Sequence, residues 1–287
     1  MASKIVWKFS PVALCGLVAG FAGTAGAQST APAQALLDSP FTGSIGAFIL
    51  NTKLKANVNG STRQDPEIDF DEAFGKANEA SRWRIDGLWR ITPRHHLRVM
   101  YFDNANSRTK TLGHDVEFGD YTFLKDSSAT FDYKQQTTAL SYEYAFLREP
   151  SYEIAASIGL HYTKTQLGLS GQADLYNPDG SITSESGAVT SKSVPAPLPL
   201  IGLNGGWVVA PQWYLSAGAS VFKINYDGYD GQWTDWRAAA TWMYNKNFGV
   251  GAGLTGFTAN LKVAKDAFDG RLKTGYVGAQ LFVTGAY

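Results

Sequence analysis

Apolar and polar residues alternate along most of the chain with a period of two, which is typical of β-strands whose two faces meet different surroundings. The pattern is clearest in residues 275–287, GYVGAQLFVTGAY. Val277, Leu281 and Val283 share an apolar face there, and Phe282 is the one large apolar residue on the other face. The stretch predicts a membrane-barrel strand with one face towards lipid. The alternative is an ordinary half-buried strand of a soluble sandwich.

Ten runs of this kind follow one another, and eight to twelve strands are compatible with the pattern. The runs cover residues 42–52, 81–92, 96–104, 129–147, 152–168, 198–210, 213–225, 234–245, 248–263 and 272–287. Tight turns at residues 92–95, 148–150, 210–212 and 245–247 alternate with longer polar connections at residues 53–80, 105–128, 170–197, 226–233 and 264–271. Helices are nearly absent from this interpretation.

The alternation of short and long connections predicts the fold class. Short turns at one end, long loops at the other and both termini on the short-turn side are typical of a transmembrane antiparallel up-and-down β-barrel. A sandwich with Greek-key connections has no reason to separate its loops in this way. We therefore predict an all-β barrel of about ten strands, with periplasmic turns and extracellular loops.

The first residues predict export. Residues 1–27 carry Lys4 and Lys8, then an apolar run, then small residues ending in Ala25, Gly26 and Ala27, which is the pattern of a cleaved secretory signal peptide. The mature chain would hold no cysteine, since Cys15 is the only one. Residues 28–40 are predicted to form a short periplasmic segment and residues 41–287 the barrel.

Composition agrees with an exported β-protein. The 25 basic residues balance the 25 acidic ones, which disfavours a nucleic-acid partner. After the predicted signal peptide, no apolar run is long enough for a spanning helix. The expected partners are outer-membrane lipids and the barrel-insertion machinery, which would bind the C-terminal strand, and a monomer is favoured.

Strand parity assigns the two faces of the barrel wall. Trp83, Ile85, Leu140 and Ile158 are predicted to face lipid, and the charged residues between them to face the lumen. The predicted luminal charges are Arg82, Arg84, Asp86, Arg90, Arg98, Glu143, Glu153, Asp235 and Arg237. Because an unpaired backbone group in hydrocarbon costs several kcal/mol, the sheet has to close.

Aromatic residues gather near the predicted turns and the C-terminus. They are Trp89, Phe146, Tyr152, Trp207, Trp213, Tyr244, Phe248 and Tyr287. In a barrel they would lie at one height and form the periplasmic aromatic girdle. A general preference of aromatics for strand ends is the plainer alternative.

On these residues the chain resembles a broad, poorly characterised family of Gram-negative outer-membrane β-barrel proteins. The resemblance covers nearly all of the mature chain. It is carried by SRWRIDGLWRITPRHHLRVMYFD (81–103), EFGDYTF (117–123), LSYEYAFLREP (140–150), APLPLIGLNGGWVVAPQWYL (196–215) and INYDGYDG (224–231). These motifs describe strands and turns, so the resemblance implies an outer-membrane barrel and no activity.

Candidate chemistry is sparse. Ser157, His161 and Glu153 are predicted luminal on one strand, which superficially offers a nucleophile, a base and an orienting acid. Residues four apart on a strand lie roughly 13 Å apart, however, so they cannot hydrogen-bond directly. A lipid-modifying hydrolase is therefore kept only as a further alternative. No metal or cofactor is expected.

The luminal charges leave two functional hypotheses. A ten-stranded barrel is scarcely wider than the eight-stranded kind that side chains fill, so paired charges would plug it and leave an envelope role without enzymatic activity. The alternative is a narrow channel or a hydrophobic-solute transporter, if the glycines at 249, 251 and 253 open space beside the arginines.

Three prolines share one parity at the outer end of the sixth run, namely Pro195, Pro197 and Pro199. Residues two apart in an antiparallel ladder direct their backbone groups to the same neighbour, so these prolines remove three donors from a single seam. The pattern predicts either a rigid loop that enters the wall or a lateral notch through which an apolar solute or acyl chain could pass.

Overall fold

The computed structural model describes residues 31–59, 66–75, 82–177, 179–226, 229–265 and 268–287. The predicted signal peptide lies outside these residues. Ten long strands build the molecule, and we number them in chain order. They are β1 (Phe41–Val58), β2 (Arg82–Arg90), β3 (His95–Thr111), β4 (Ser128–Glu149), β5 (Tyr152–Tyr176), β6 (Ile182–Ala210), β7 (Trp213–Tyr226), β8 (Tyr229–Met243), β9 (Phe248–Lys265) and β10 (Phe268–Ala286).

Each strand pairs antiparallel with the strands before and after it, and β1 pairs with β10 from Thr42↔Ala286 to Val58↔Gly270. The sheet therefore closes into the predicted ten-stranded up-and-down barrel. Closure gives each long strand two hydrogen-bonded neighbours, so the paired parts of the described strands present no free sheet edge. Phe41 and Tyr287 exchange backbone hydrogen bonds of 3.0 and 2.9 Å, so both ends of the barrel chain lie at the end of the tight turns. We call this the turn end, and the opposite end the loop end.

Small elements lie at both ends. At the turn end, a 3-10 turn (Pro32–Gln34) leads into α1 (Ala35–Asp38). At the loop end are α2 (Phe70–Phe74) and three short strands, Ile68–Asp69, Val116–Phe118 and Tyr121–Phe123. The helix α2 lies within residues 53–80, which the sequence predicted as a long polar connection, and residues 76–80 lie outside the described part. None of the described helices has the length and apolar character to cross a membrane.

Several strands extend past their predicted ends at the loop end. The polar segment 170–197 was predicted as a connection, yet β5 runs to Tyr176 and β6 begins at Ile182, so only residues 177–181 connect them. The sequence pattern ended these strands where the outward residues stop being apolar. The backbone continues as strand because its hydrogen bonds do not depend on what the outer face meets.

The outward face is apolar towards the turn end. Ile45, Ile85, Val99, Leu140 and Ile158 are exposed on the barrel surface, with Ile158 at 62%. Their neighbours along each strand point into the lumen. A β-carbon at Gly46 would lie 2.6 Å from the Cβ of Phe282, and one at Gly251 would lie 2.2 Å from its ring, so glycine at both positions makes room for Phe282.

Candidate functional site

Two buried ion pairs occupy the lumen near the turn end. Arg84 on β2 donates from Nε and Nη2 to the two oxygens of Asp86 at 2.7 Å each, a bidentate arrangement. Arg98 on β3 donates from Nε and Nη2 to Glu143 on β4 at 2.5 and 3.1 Å. Arg84 thus finds its partner two residues along the same strand, and Arg98 finds its partner on the adjacent strand, so each charge is paired, as burial of a charge requires.

Residues of β6 and β8 join these pairs into one network. The Asn204 amide donates to Glu143 Oε1 at 3.0 Å, and Arg237 Nη2 donates to Asn204 Oδ1 at 3.1 Å. Arg237 also lies 3.6 Å from Asp86. We call the region that holds Arg84, Asp86, Arg98, Glu143, Asn204 and Arg237 the lower lumen. A cavity of about 140 Å³ lies beside this network and reaches down to Leu36.

The remaining predicted luminal charges are placed at different heights. Asp235 lines a second cavity of about 40 Å³ together with Arg84 and Arg237. Arg82 lies closer to the loop end and is 3% exposed, and its Nε and Nη1 have no hydrogen-bond partner among the described atoms. Arg90 and Glu153 lie at the turn end, where they form an ion pair of 3.0 Å.

The N-terminal segment closes the turn end of the lumen. Residues 28–40 were predicted to form a short periplasmic segment. The described part of them, residues 31–40, includes α1 and packs into the barrel mouth at the turn end. Ala33 and Leu36 are buried against Met243 and Ala286, and Ala33 N donates to Pro211 O at 3.0 Å. We call residues 32–38 the plug segment.

Arginines hold the plug segment in place. Arg90 Nη2 donates to the Leu36 carbonyl at 2.8 Å. Arg148 donates to the Leu37 carbonyl at 3.0 Å, to Asp38 at 2.8 Å and to Glu153 at 2.9 Å. Arg148 was not among the predicted luminal charges because it belongs to a predicted tight turn. The sequence signal for the plug segment was the group of apolar residues Ala33, Leu36 and Leu37 within the short segment that precedes β1.

Six ring side chains cross the lumen above the lower lumen. His161 on β5 stacks on Trp233 on β8, with ring centres 4.6 Å apart. The chain of contacts continues through Phe257 on β9, Tyr276 on β10, Phe102 on β3 and Phe48 on β1, with centre distances of 5.4 to 5.9 Å. We call these six residues the aromatic layer. No residue of it was singled out from the sequence except His161, which was read as a possible base.

An apolar core fills the barrel between the aromatic layer and the loop end. Its centre is Phe131 on β4, which is fully buried and stacks on Phe70 of α2 with ring centres 4.1 Å apart. We call this region the upper lumen. Its main buried side chains are Leu54, Phe70, Phe74, Leu112, Phe118, Phe123, Phe131, Leu167 and Leu169.

Ser157, His161 and Glu153 do not form a catalytic set. Ser157 Oγ accepts a hydrogen bond of 3.3 Å from Asn204, Glu153 binds the arginines at the turn end, and His161 stacks in the aromatic layer. Ser157 and His161 border the same cavity of about 40 Å³, but no hydrogen bond between them is formed among the described atoms. In the described part of the chain, no three His, Cys, Asp or Glu side chains are placed to hold a metal ion.

The eight aromatics of the predicted girdle all point outward within a few residues of the turn end. Tyr244 and Tyr287 are exposed to 65% and 75%, and Trp89 stacks on the neighbouring Phe41 at 5.9 Å. Tyr152 and Trp207 face each other across β5 and β6 and are half-buried. The geometry is that of a belt around the barrel; its contact with lipid stays a prediction.

The seam between β6 and β7 is paired along only part of its length. Pairing runs from Trp213↔Ala210 to Val221↔Ile201, and no further pair joins the two strands within the described residues. β6 nevertheless continues to Ile182 and stays paired with β5 throughout, including Leu160↔Pro199, Tyr162↔Pro197 and Lys164↔Pro195. The side chains of residues 194–197 are outside the described part.

Comparison with known proteins shows the fold and no sequence family. No family model and no curated protein sequence matches the chain. The outer-membrane protease OmpT from Escherichia coli has a similar structure, with a TM-score of 0.59 and 13% identity over 87% of this chain and 97% of OmpT. The chain therefore has the fold of a Gram-negative outer-membrane β-barrel. Similarity at 13% identity shows the fold alone and decides no activity.

Two weaker similarities are of the same kind. The toluene transporter TodX of Pseudomonas putida aligns with a TM-score of 0.38 at 9% identity, covering 90% of this chain and 93% of TodX. Neisserial surface protein A aligns with a TM-score of 0.32 at 12% identity, covering 87% of this chain and 98% of that protein. Similarity at this level carries no argument about what this chain binds.

Proposed function

We propose that this protein is a non-enzymatic, non-conducting barrel of the Gram-negative outer membrane, with a role in the envelope. The observation that carries the proposal is the filled lumen. The plug segment closes the turn end, the ion-paired lower lumen fills the middle, and the aromatic layer and the upper lumen close the loop end. Between these three obstructions, the best-defined cavities have volumes of about 140, 40 and 30 Å³.

The outer surface supports the proposed location. Large apolar side chains cover it on every side towards the turn end, and exposed apolar area of this extent is stable only against lipid or another apolar surface. The girdle aromatics lie at one end of this apolar band, as in membrane barrels. A monomeric state is compatible with the closed sheet, because β1 and β10 of the same chain pair with each other.

Planar-bilayer recording tests the proposal. The wild-type protein should show no conductance steps, and a variant lacking residues 32–38 should also be silent, because the aromatic layer and the upper lumen still obstruct the lumen. Heat-dependent electrophoretic migration would verify that each variant is a folded barrel. Regular ion-conducting steps from the folded wild-type protein would contradict the proposal and favour a narrow channel.

A further inference from the structure

We propose that the unpaired part of the β6–β7 seam is a lateral opening that binds one acyl chain of an outer-leaflet lipid. The proposal rests on the outer-membrane location proposed above and adds a ligand and a site to it. Three features support it: the β6–β7 ladder ends early, the end lies at a particular height on the barrel wall, and an apolar cavity lies directly behind it.

Proline explains why the ladder ends. β6 keeps its pairing with β5 through the proline segment, although Pro195, Pro197 and Pro199 have no backbone N–H. The alternate residues of β6 must therefore supply the donors to β5, so the missing donors are those directed at β7. Beyond Ile201, the β6 residues directed at β7 are Pro199, Pro197 and Pro195, which offer carbonyls but no N–H donors.

The opening begins at the outer edge of the apolar band. On β7, the outward residues are apolar up to Val221 and change to the exposed Lys223. On β5, the apolar outward residues end with Tyr162, which lies opposite Pro197, and the exposed Lys164 follows. The seam therefore opens where the apolar band gives way to charge, which in a membrane is the level of the lipid head groups and the first part of the acyl chains.

An apolar cavity lies behind this opening. Its volume is about 30 Å³, and Leu198 of β6 and Phe222 of β7 line it from the two sides of the seam. Trp233, Phe257 and Leu261 form its inner wall. Both strands that part from each other thus direct an apolar side chain into the cavity, so the gap in the wall leads into apolar surroundings and not into the charged lower lumen.

These features fit one acyl chain better than another ligand. The cavity is narrow and apolar, which suits the end of a flexible chain and excludes a charged head group. The inner wall includes Trp233, which is 3% exposed, so a chain end that enters the cavity contacts buried apolar surface.

Photo-crosslinking tests the site. The protein is reconstituted into phosphatidylcholine vesicles whose acyl chains carry a diazirine, irradiated, digested and analysed by mass spectrometry. We expect adducts on the lumen-facing Leu198, Phe222 or Trp233 in addition to adducts on the outward Ile201. Adducts on Ile201 without any on the lumen-facing residues would overturn the lateral site alone. Absence of both would contradict the membrane location itself.

A disulfide staple supplies the matched control. Extending the register by one step of two residues beyond Val221↔Ile201 would place Pro199 opposite Lys223. The chain has one natural cysteine, within the predicted signal peptide. Oxidised Pro199→Cys with Lys223→Cys should lose the lumen-facing adducts and regain them on reduction. Leu203→Cys with Ala219→Cys staples a pair that is already formed and should leave the adducts unchanged. Equal loss in both stapled proteins would count against the seam as the route.

Discussion

The lower and upper lumen are built from the same strands with opposite polarity. On β4, odd-numbered residues point inward from Ala129 to Ala145, after which a bulge shifts the register. Near the turn end Ser141 and Glu143 point inward, while Leu140 and Tyr142 are exposed. Near the loop end the buried inward residue is Phe131, and the polar Asp132 is exposed. The pattern inverts without any break in the strand.

The inversion follows from what the outer face meets. Where lipid surrounds the barrel, the outward residues are apolar and alternation leaves polar residues for the inside. Where water surrounds it, the outward residues are polar and the inside becomes an ordinary apolar core. Each fully buried large apolar side chain there contributes about 1.5–3 kcal/mol. The upper lumen thus stabilises the barrel by burial, whereas the lower lumen requires that every charge keep its partner.

The largest effect should come from the upper lumen. Phe131→Ala removes a ring that is fully buried and stacked on Phe70, so we expect a loss of about 3–5 kcal/mol in the free energy of unfolding. Denaturant unfolding of the protein in detergent measures it. Asp132→Ala, at the same height on the outer face, should change little. Equal effects of the two substitutions would show that the upper barrel has no core of this kind.

A somewhat smaller effect is expected in the lower lumen. Arg98→Ala leaves Glu143 as a buried charge without its ion-pair partner and should cost about 3 kcal/mol, at the low end for buried pairs because Arg98 borders a cavity. The same unfolding measurement applies. Replacing both partners, as Arg98→Met with Glu143→Leu, should recover most of the loss. If the double variant is no more stable than Arg98→Ala, the pair is not the reason for the loss.

The smallest effect concerns the rim above the upper lumen. Asp69 caps α2 by accepting from Asp71 N at 3.1 Å and Glu72 N at 3.3 Å, and it lies 2.6 Å from Lys55 Nζ. Asp69→Ala should cost about 1 kcal/mol. Hydrogen exchange of the α2 amides would measure this loss. Glu67→Ala is the control, because it removes an exposed ion pair with Lys273 and leaves the cap in place.

The pH dependence of the cap has a defined sign. Partial burial raises the pKa of Asp69, but the hydrogen bonds from Lys55 and the backbone amides outweigh it, so the pKa lies below the ordinary 3.8. The cap therefore stabilises α2 fully above that ordinary value and is lost as the pH falls through the lowered pKa. Protection of the α2 amides that stayed constant through this acid range would contradict the assignment.

The sequence alone was sufficient for the barrel. Alternation, the segregation of short turns and long polar connections, and the even number of runs predicted ten antiparallel strands, and strand parity separated Arg84, Arg98 and Glu143 from Leu140 and Ile158. These are local regularities, since a strand sends successive side chains to opposite faces and a tight turn needs only a few residues. The three prolines of β6 were likewise readable, because proline lacks its donor in any context.

Only the tertiary structure decided how the lumen is filled. Trp233, Phe257 and Tyr276 belong to three different strands, and only the register of those strands brings their rings to one height. The plug segment meets Arg148 across more than a hundred residues of sequence. Partners of this kind depend on strand stagger and barrel closure, which no local pattern contains. The same holds for the β6–β7 seam: the prolines indicated missing donors, while the pairing of β6 with β5 determined which neighbour they are missing from.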